Sequence, residues 1–270
     1  VLLTHFPKIS CILVTAPGRL EYFKRSLNCY TFQTYPNREL VIVNDGPKEY
    51  QQDIKELVKH RNDVRCIFLN EKYTLGALRN IGIGLCFGDI FVQWDDDDFN
   101  APERLATQVG FLLKNSEAKV CFLTDQLHFF FPTKQLFWNN WWENNLRKYK
   151  RFALVPGTIM AYTKDFYYHY PSYGTYAAAG EDSVLTDEIC TDMLRKVLLI
   201  EEIGYLYCYS FHGKNVWDIE HHLHLSKTRA MSRQYLISYR ERICRTLKYL
   251  QLADTVYVTG SDGLAFTYDI

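Results

Sequence analysis

The sequence predicts an α/β fold built around a mostly parallel sheet. Over roughly the first hundred residues, short β-branched runs alternate with amphipathic helical patterns, as βαβ units require. A chain of 270 residues with 47% hydrophobic and 23% charged positions also has the composition of one globular domain with a sizeable core.

Strands are read at Ile9–Thr15, Leu40–Asn44, Val64–Leu69 and Asp89–Trp94. Between them, Leu20, Phe23, Leu27 and Tyr30 recur at helical spacing, as do Ile54, Leu57 and Val58, then Leu75, Leu78 and Leu85. Three crossovers therefore join four strands. Pro102 and Glu103 stand where a helix start would want them, ahead of a buried face made by Leu105, Val109, Leu112 and Leu113. Beyond that the alternation breaks down. Residues 119–131, Pro156–Met160 and Leu206–His212 read as further strands, and Ser226 to Leu252 as helical. Thr255–Thr267, around Ser261-Asp262-Gly263, reads as a terminal hairpin, because Asp-Gly suits a tight turn.

Charge and cysteine usage narrow the class. Basic and acidic residues balance at 31 each, so nothing in the overall charge points to a nucleic-acid backbone as partner. The eight cysteines stand singly in apolar stretches without a CxxC pair, and are read as buried thiols of a reducing compartment. That favours a cytoplasmic location, with room for the cytoplasmic face of a membrane. No apolar run reaches the roughly 18 residues of a membrane span, and the chain opens on Val1, as expected of a trimmed N-terminus that leaves a lost targeting or anchor segment open.

The sharpest feature is Asp95-Asp96-Asp97-Asp98, directly after an apolar strand. In an open parallel sheet, ligands bind at the carboxyl ends of strands, and carboxylates packed this closely repel unless a cation offsets them. If the run is extended, Asp95 and Asp97 point the same way and share a divalent ion while Asp96 turns elsewhere. A solvated acidic turn or a calcium loop are the plainer readings, although the glycine hinge and wider oxygen pattern of a calcium loop are missing. Asn44-Asp45-Gly46-Pro47 ends the second strand on the same edge. Asp45 there can accept hydrogen bonds from a base or ribose, or be ordinary turn chemistry.

Taken in order, ISCILVTAPGR (9–19), QTYPNRELVIVNDGP (33–47), GALRNIG (76–82), GDIFVQWDDDDFNAPER (88–104) and GED (180–182) resemble the motifs of family-two glycosyltransferases, inverting enzymes of the GT-A fold. The resemblance spans roughly residues 9 to 217 and rests on five motifs in sequence order. It implies a GT-A type sheet, with a nucleotide-binding half of about residues 1–115, an acceptor half of about 116–217, and a helical extension at 218–270 packed on the same domain. Carried over position by position, Thr15, Ala16 and Pro17 match the loop lining the nucleotide, and Asp45 the acid that reads the base. Arg79 matches a basic residue near the donor, and Asp95-Asp96-Asp97 the DxD motif that holds metal and diphosphate. Asp182 matches the catalytic base, with Glu181 beside it. Thr15-Ala16-Pro17-Gly18 departs from the family's more usual Pro-Thr-Tyr-Asn, so the individual contacts of that loop are not carried over.

His212 lies where several GT-A enzymes supply a further metal ligand. An imidazole beside carboxylates favours Mn²⁺ over Mg²⁺, the alternative being a base-pocket or capping role. His221, His222 and His224 are read as a solvated helix surface. Trp138, Trp141 and Trp142 fall in an Asn-rich stretch that no core periodicity explains. They are read as an acceptor platform, as a membrane-interface patch together with Arg147, Lys148, Lys150 and Arg151, or as buried aromatics under a loop. Trp217 joins the acceptor candidates.

The expected activity is metal-dependent transfer of a sugar from a nucleotide sugar, UDP-linked by preference, to a hydroxyl of a glycan or glycoconjugate. A sugar nucleotidyltransferase and a non-catalytic binding module of the same fold are the rivals. The former would show a Gly-rich basic loop after the first strand, which Ala16-Pro17-Gly18-Arg19 matches poorly. Donor sugar, linkage and oligomeric state leave no trace in the sequence.

Overall fold

The computed structural model describes residues 6–142, 154–192, 194–215 and 217–269. The basic run at 147–151 lies outside the described residues. The elements in chain order are β1 (Ile9–Val14), α1 (Leu20–Thr31), β2 (Arg38–Asn44), α2 (Lys48–Val58), β3 (Val64–Phe68), α3 (Leu75–Leu85), β4 (Ile90–Gln93), β5 (Phe99–Asn100) and α4 (Arg104–Lys114). There follow β6 (Val120–Leu123), β7 (Asp125–Phe130), β8 (Gln135–Asn140), β9 (Met160–Tyr162), α5 (Glu181–Asp192), β10 (Val197–Ile200) and β11 (Tyr207–Phe211). The chain closes with α6 (Ile219–Arg229), α7 (Arg233–Ser238), α8 (Arg240–Leu250), β12 (Thr255–Gly260) and β13 (Gly263–Asp269).

Seven strands form the first sheet in the order β10-β6-β9-β4-β1-β2-β3, parallel except for β9, which runs against both β4 and β6. Its central strands are buried along almost their whole length, which is why they read as continuous apolar runs rather than alternating ones. Because β4 pairs with β1, the acidic run and the Thr15 loop leave the sheet side by side. Six strands, β13-β12-β8-β7-β11-β5, form the second sheet.

Four readings of the sequence need correction. Residues 119–131 are two strands of two different sheets, separated by Thr124, whose N–H bonds to the carbonyl of Ile200; the break falls at the polar Thr124-Asp125-Gln126, without a glycine or proline to mark it. Pro156–Met160 is not a strand: a 3₁₀ turn occupies Pro156–Thr158, with proline pre-set for its first position, and β9 starts at Met160. Trp138 is no acceptor platform. It is fully buried on β8, its indole N–H donates to Asp125 Oδ2 at 2.6 Å, and Tyr205, Tyr235 and Tyr239 meet it edge-on. Finally, the C-terminal segment holds three helices, broken at Ser232 where that hydroxyl caps α7, and its hairpin pairs in parallel with β8 to complete the second sheet. All eight cysteines are free thiols, five of them buried. Among the described residues no helix is long and apolar enough to cross a membrane.

Helix α3 is set against the loop at 170–172 by a close approach of backbones. Thr74 donates to the Ser172 carbonyl at 2.9 Å, and Asn80 exchanges bonds of 2.8 and 2.9 Å with the Tyr170 backbone. A Cβ on Gly76 would stand 2.1 Å from the Pro171 carbonyl oxygen, whereas one on Gly84 would meet nothing within 4 Å. Gly76→Ala should therefore lower stability by about 1–3 kcal/mol, and Gly84→Ala should be neutral or gain up to about 1 kcal/mol, as read from urea midpoints.

Candidate functional site

A cavity of about 660 Å³ opens at the carboxyl edge of β1 and β4 and runs across to the second sheet. At the end beside β1 and β2, Thr15 is held by a 2.8 Å bond to the Tyr50 hydroxyl, while the Asn44 amide donates to the Thr15 carbonyl at 2.7 Å. Asn44 also accepts from Gly46 N–H at 2.9 Å, closing the turn that presents Asp45. Asp45 in turn accepts from Tyr73 N–H at 2.9 Å and pairs with Lys72 at 3.2 Å. Thr15, Ala16 and Asp45 line the cavity, and exposed Pro17 packs beside Gly46.

The chain bends at Asp96 and Asp97, so the alternation of an extended run does not hold: Asp95 and Asp98 turn to partners of their own, and Asp96 and Asp97 share Arg19. Asp95 meets Arg79 at 2.9 Å and the Gln93 amide at 2.8 Å. Arg19 holds Asp96 through Nε and Nη2 and reaches Asp97 at 2.5 Å. Asp97 also faces His212 Nε2 at 3.0 Å. Asp98 turns inward, accepting from the Tyr207 hydroxyl and from Ser210 N–H, so it ties the run to β11.

Burial and charge set the protonation of these groups. Burial pushes Asp96 up to about 6 in spite of Arg19, and pushes buried Asp98 well above the carboxylate range. Burial would raise Asp97 too, but the His212 bond and the Arg19 charge outweigh it and hold that carboxyl low. Asp97 is thus held ionised, in contrast to Asp96 and Asp98.

Gly180, at φ +83°, turns the chain into α5, whose first residues are Glu181 and Asp182. Buried Glu181 pairs with Arg79 Nε at 3.1 Å. Burial raises Glu181 to about 7 and lifts Asp182 above its ordinary range, with Arg79 opposing both shifts. Arg79 therefore joins the acidic run of the sheet edge to the start of α5.

Whether a divalent cation fits is decided by the donor set. Among the described residues no three His, Cys, Asp or Glu side chains are grouped to hold an ion. Asp97 and His212 do form an ionised oxygen and imidazole pair, which suits a cation that takes its other ligands from a bound diphosphate. Arg19 supplies the positive charge on Asp96 and Asp97.

The family model of glycosyl transferase family 2 matches residues 11–173. The chain belongs to that family. Membership sets aside the nucleotidyltransferase reading. An uncharacterized glycosyltransferase of Haemophilus influenzae is 32% identical over 106 residues, 38% of this chain and 32% of that protein. Another, from Rickettsia typhi, is 30% identical over 111 residues, 41% of this chain and 34% of that protein. The match thus spans about a third of the length of these relatives. In fold the chain is similar to S. aureus TarS 1-349 in complex with UDP-GlcNAc, with TM-score 0.59 at 15% identity over 89% of this chain and 66% of that one. It is also similar to the mannosyltransferase PcManGT of Pyrobaculum calidifontis in complex with GDP-Man and Mn²⁺, with TM-score 0.56 at 14% identity over 91% and 64%. At these identities the likeness establishes the GT-A fold.

Of the aromatic candidates, Trp141 lines the cavity with Arg229 stacked 3.8 Å from its ring centre, and Trp217 lines it half exposed, stacked on His221. His222 corrects the reading of a solvated histidine cluster: it is buried on α6 and lines the cavity, while His221 and His224 are exposed. The sequence reading assigned no role to Arg19, although four adjacent carboxylates called for a guanidinium, nor to Gln126 and His128, polar positions two apart inside an apolar strand.

Arg79 is the buried cation on which two acids depend. Arg79→Leu should cost about 3–5 kcal/mol at pH 8, because Asp95 and Glu181 lose their partner. With the guanidinium gone, the folded-state pKa of Glu181 rises further above its unfolded value, so stability is lost as pH rises. The deficit in urea unfolding should accordingly be smaller at pH 5 than at pH 8.

Proposed function

We propose that this chain is a metal-dependent, inverting glycosyltransferase that moves a sugar from a nucleoside diphosphate sugar, UDP-linked by preference, to an acceptor hydroxyl. The observation that carries this reading is the double pairing of Arg79 with Asp95 and Glu181, at 2.9 and 3.1 Å. It joins the end of β4 to the start of α5, so that a sugar held by its diphosphate at the acidic run would lie within reach of Asp182. The ligands of TarS and PcManGT, UDP-GlcNAc and GDP-Man with Mn²⁺, are those of the same donor class.

In this reading Asp45 accepts from the base, and the Thr15 loop closes over the nucleoside. Asp97 and His212 would hold a divalent cation, Mn²⁺ before Mg²⁺, and when bound it would neutralise the diphosphate. Arg19 and Arg79 offset the remaining charge. Asp182 takes the proton of the acceptor hydroxyl as that oxygen forms its bond to the anomeric carbon. The bond from that carbon to the diphosphate oxygen breaks in the same step, and nucleoside diphosphate leaves. One in-line displacement inverts the anomeric centre. Glu181, bound to Arg79, positions rather than abstracts.

The metal assignment is tested by donor hydrolysis across a panel of nucleotide sugars. Wild type should require Mn²⁺ and stop with chelator, and Asp97→Ala should lose the activity while keeping a native circular-dichroism spectrum; full turnover by that variant in chelator would refute the metal. For the base, Asp182→Asn should lower kcat by about 10²–10⁴-fold with nucleotide affinity nearly unchanged. Because burial raises the Asp182 pKa, wild-type kcat/KM should fall on the acid side at a pH above the usual carboxylate range. That limb should persist in Glu181→Gln and vanish in Asp182→Asn; the opposite pattern would exchange the two roles.

A further inference from the structure

The end of the cavity away from the acidic run is walled by the second sheet and the helix packed on it. Five side chains there each carry a buried polar atom that no group among the described residues bonds: Gln126 Oε1, His128 Nε2, Asn139 Oδ1, Trp141 Nε1 and His222 Nε2. Gln126, His128, Asn139 and His222 are at least 95% buried. Unpaired buried polar atoms are costly, and so many on one wall is not how a scaffold is finished.

Their chemistry can be read one atom at a time. His128 Nδ1 accepts from the Asn139 amide at 3.4 Å and lies 3.0 Å from the Ser226 hydroxyl. A neutral imidazole that accepts at Nδ1 carries its proton on Nε2, so the unbonded atom of His128 is a donor. Burial keeps both imidazoles neutral, His128 well below its ordinary range and His222 at about 4. Trp141 Nε1 is a donor, whereas Gln126 Oε1 and Asn139 Oδ1 are acceptors. A phosphate or carboxylate oxygen offers only lone pairs and would meet the two carbonyl oxygens unfavourably. Hydroxyl groups both donate and accept, and the Trp141 indole adds an aromatic surface suited to the apolar face of a sugar ring.

We propose that this wall is the acceptor subsite and that it takes a neutral, hydroxyl-rich saccharide rather than a phosphorylated or acidic one. The proposal rests on the glycosyltransferase reading for the word acceptor, but the binding itself can be measured without turnover. Saturation-transfer NMR and calorimetry would use glucose, galactose, N-acetylglucosamine, lactose and cellobiose, each with and without UDP and MnCl₂. Glucose 6-phosphate and glucuronate serve as anionic counterparts.

At least one neutral saccharide should bind, with its anionic counterpart about tenfold weaker or worse. Gln126→Leu and Trp141→Phe, which delete one acceptor and one donor, should each weaken that binding by about tenfold while melting cooperatively like wild type. Absence of neutral-saccharide binding in all conditions, preference for the anionic members, or unchanged binding by both variants would overturn the proposal. If saccharides bind as expected but no nucleotide sugar is ever turned over, the subsite stands and the glycosyltransferase activity falls. Turnover without saccharide binding would keep the activity and remove the subsite.

Discussion

Neutralising a dense patch of carboxylate is the constraint around which the molecule is arranged. Asp95 to Asp98 and Glu181-Asp182 face one cavity, and at close range such charges cannot coexist without cations. The fold answers with two guanidinium groups from different crossovers, Arg19 just ahead of α1 and Arg79 on α3. Their permanently charged forks carry several donors, so each can hold two carboxyl groups at once. Arg79 is buried, and its position is fixed by the contact of α3 with the loop at 170–172. Arg19 is more exposed, on a loop, and therefore easier to displace.

Much of this was legible in the sequence, and the reasons are physical. The parallel half declared itself because strands buried on both faces are continuous apolar runs separated by helical periodicity, and β1 to β4 fall within a residue or two of where those runs placed them. Asp45 and the acidic run stand on one edge because in a wound sheet the ends of parallel strands must. What lay hidden was decided by pairings across long distances in the chain. The switch of sheets at Thr124 carries no glycine or proline, and its three polar residues read equally well as one face of a continuing strand. Trp138 sits among asparagines whose neighbours in sequence are not its neighbours in space, so its burial against three tyrosines from later segments had no local sign.

The two ends of the cavity differ in kind. Beside β1 and β4 the cavity is lined by carboxyl groups set against guanidinium groups. Beside β7 and β8 the polar groups are neutral, buried and in part unbonded, which confers direction without charge. That division follows the two sheets, so the fold assigns each chemistry its own scaffold.

The single residue that separates β6 from β7 has a bearing on how this family member can change. Along β7, Leu127 and Phe129 face the core while Gln126 and His128 line the cavity. Strand faces alternate with a period of two, so the register of this segment encodes which set lines the cavity. One residue inserted or deleted near Thr124 would turn the wall inside out, presenting leucine and phenylalanine to the ligand and driving an amide and an imidazole into the core. The length of the 120–130 segment is therefore under tighter constraint than its composition. Recognition at this wall can drift by exchange of side chains, whereas insertions must be absorbed in the connecting loops.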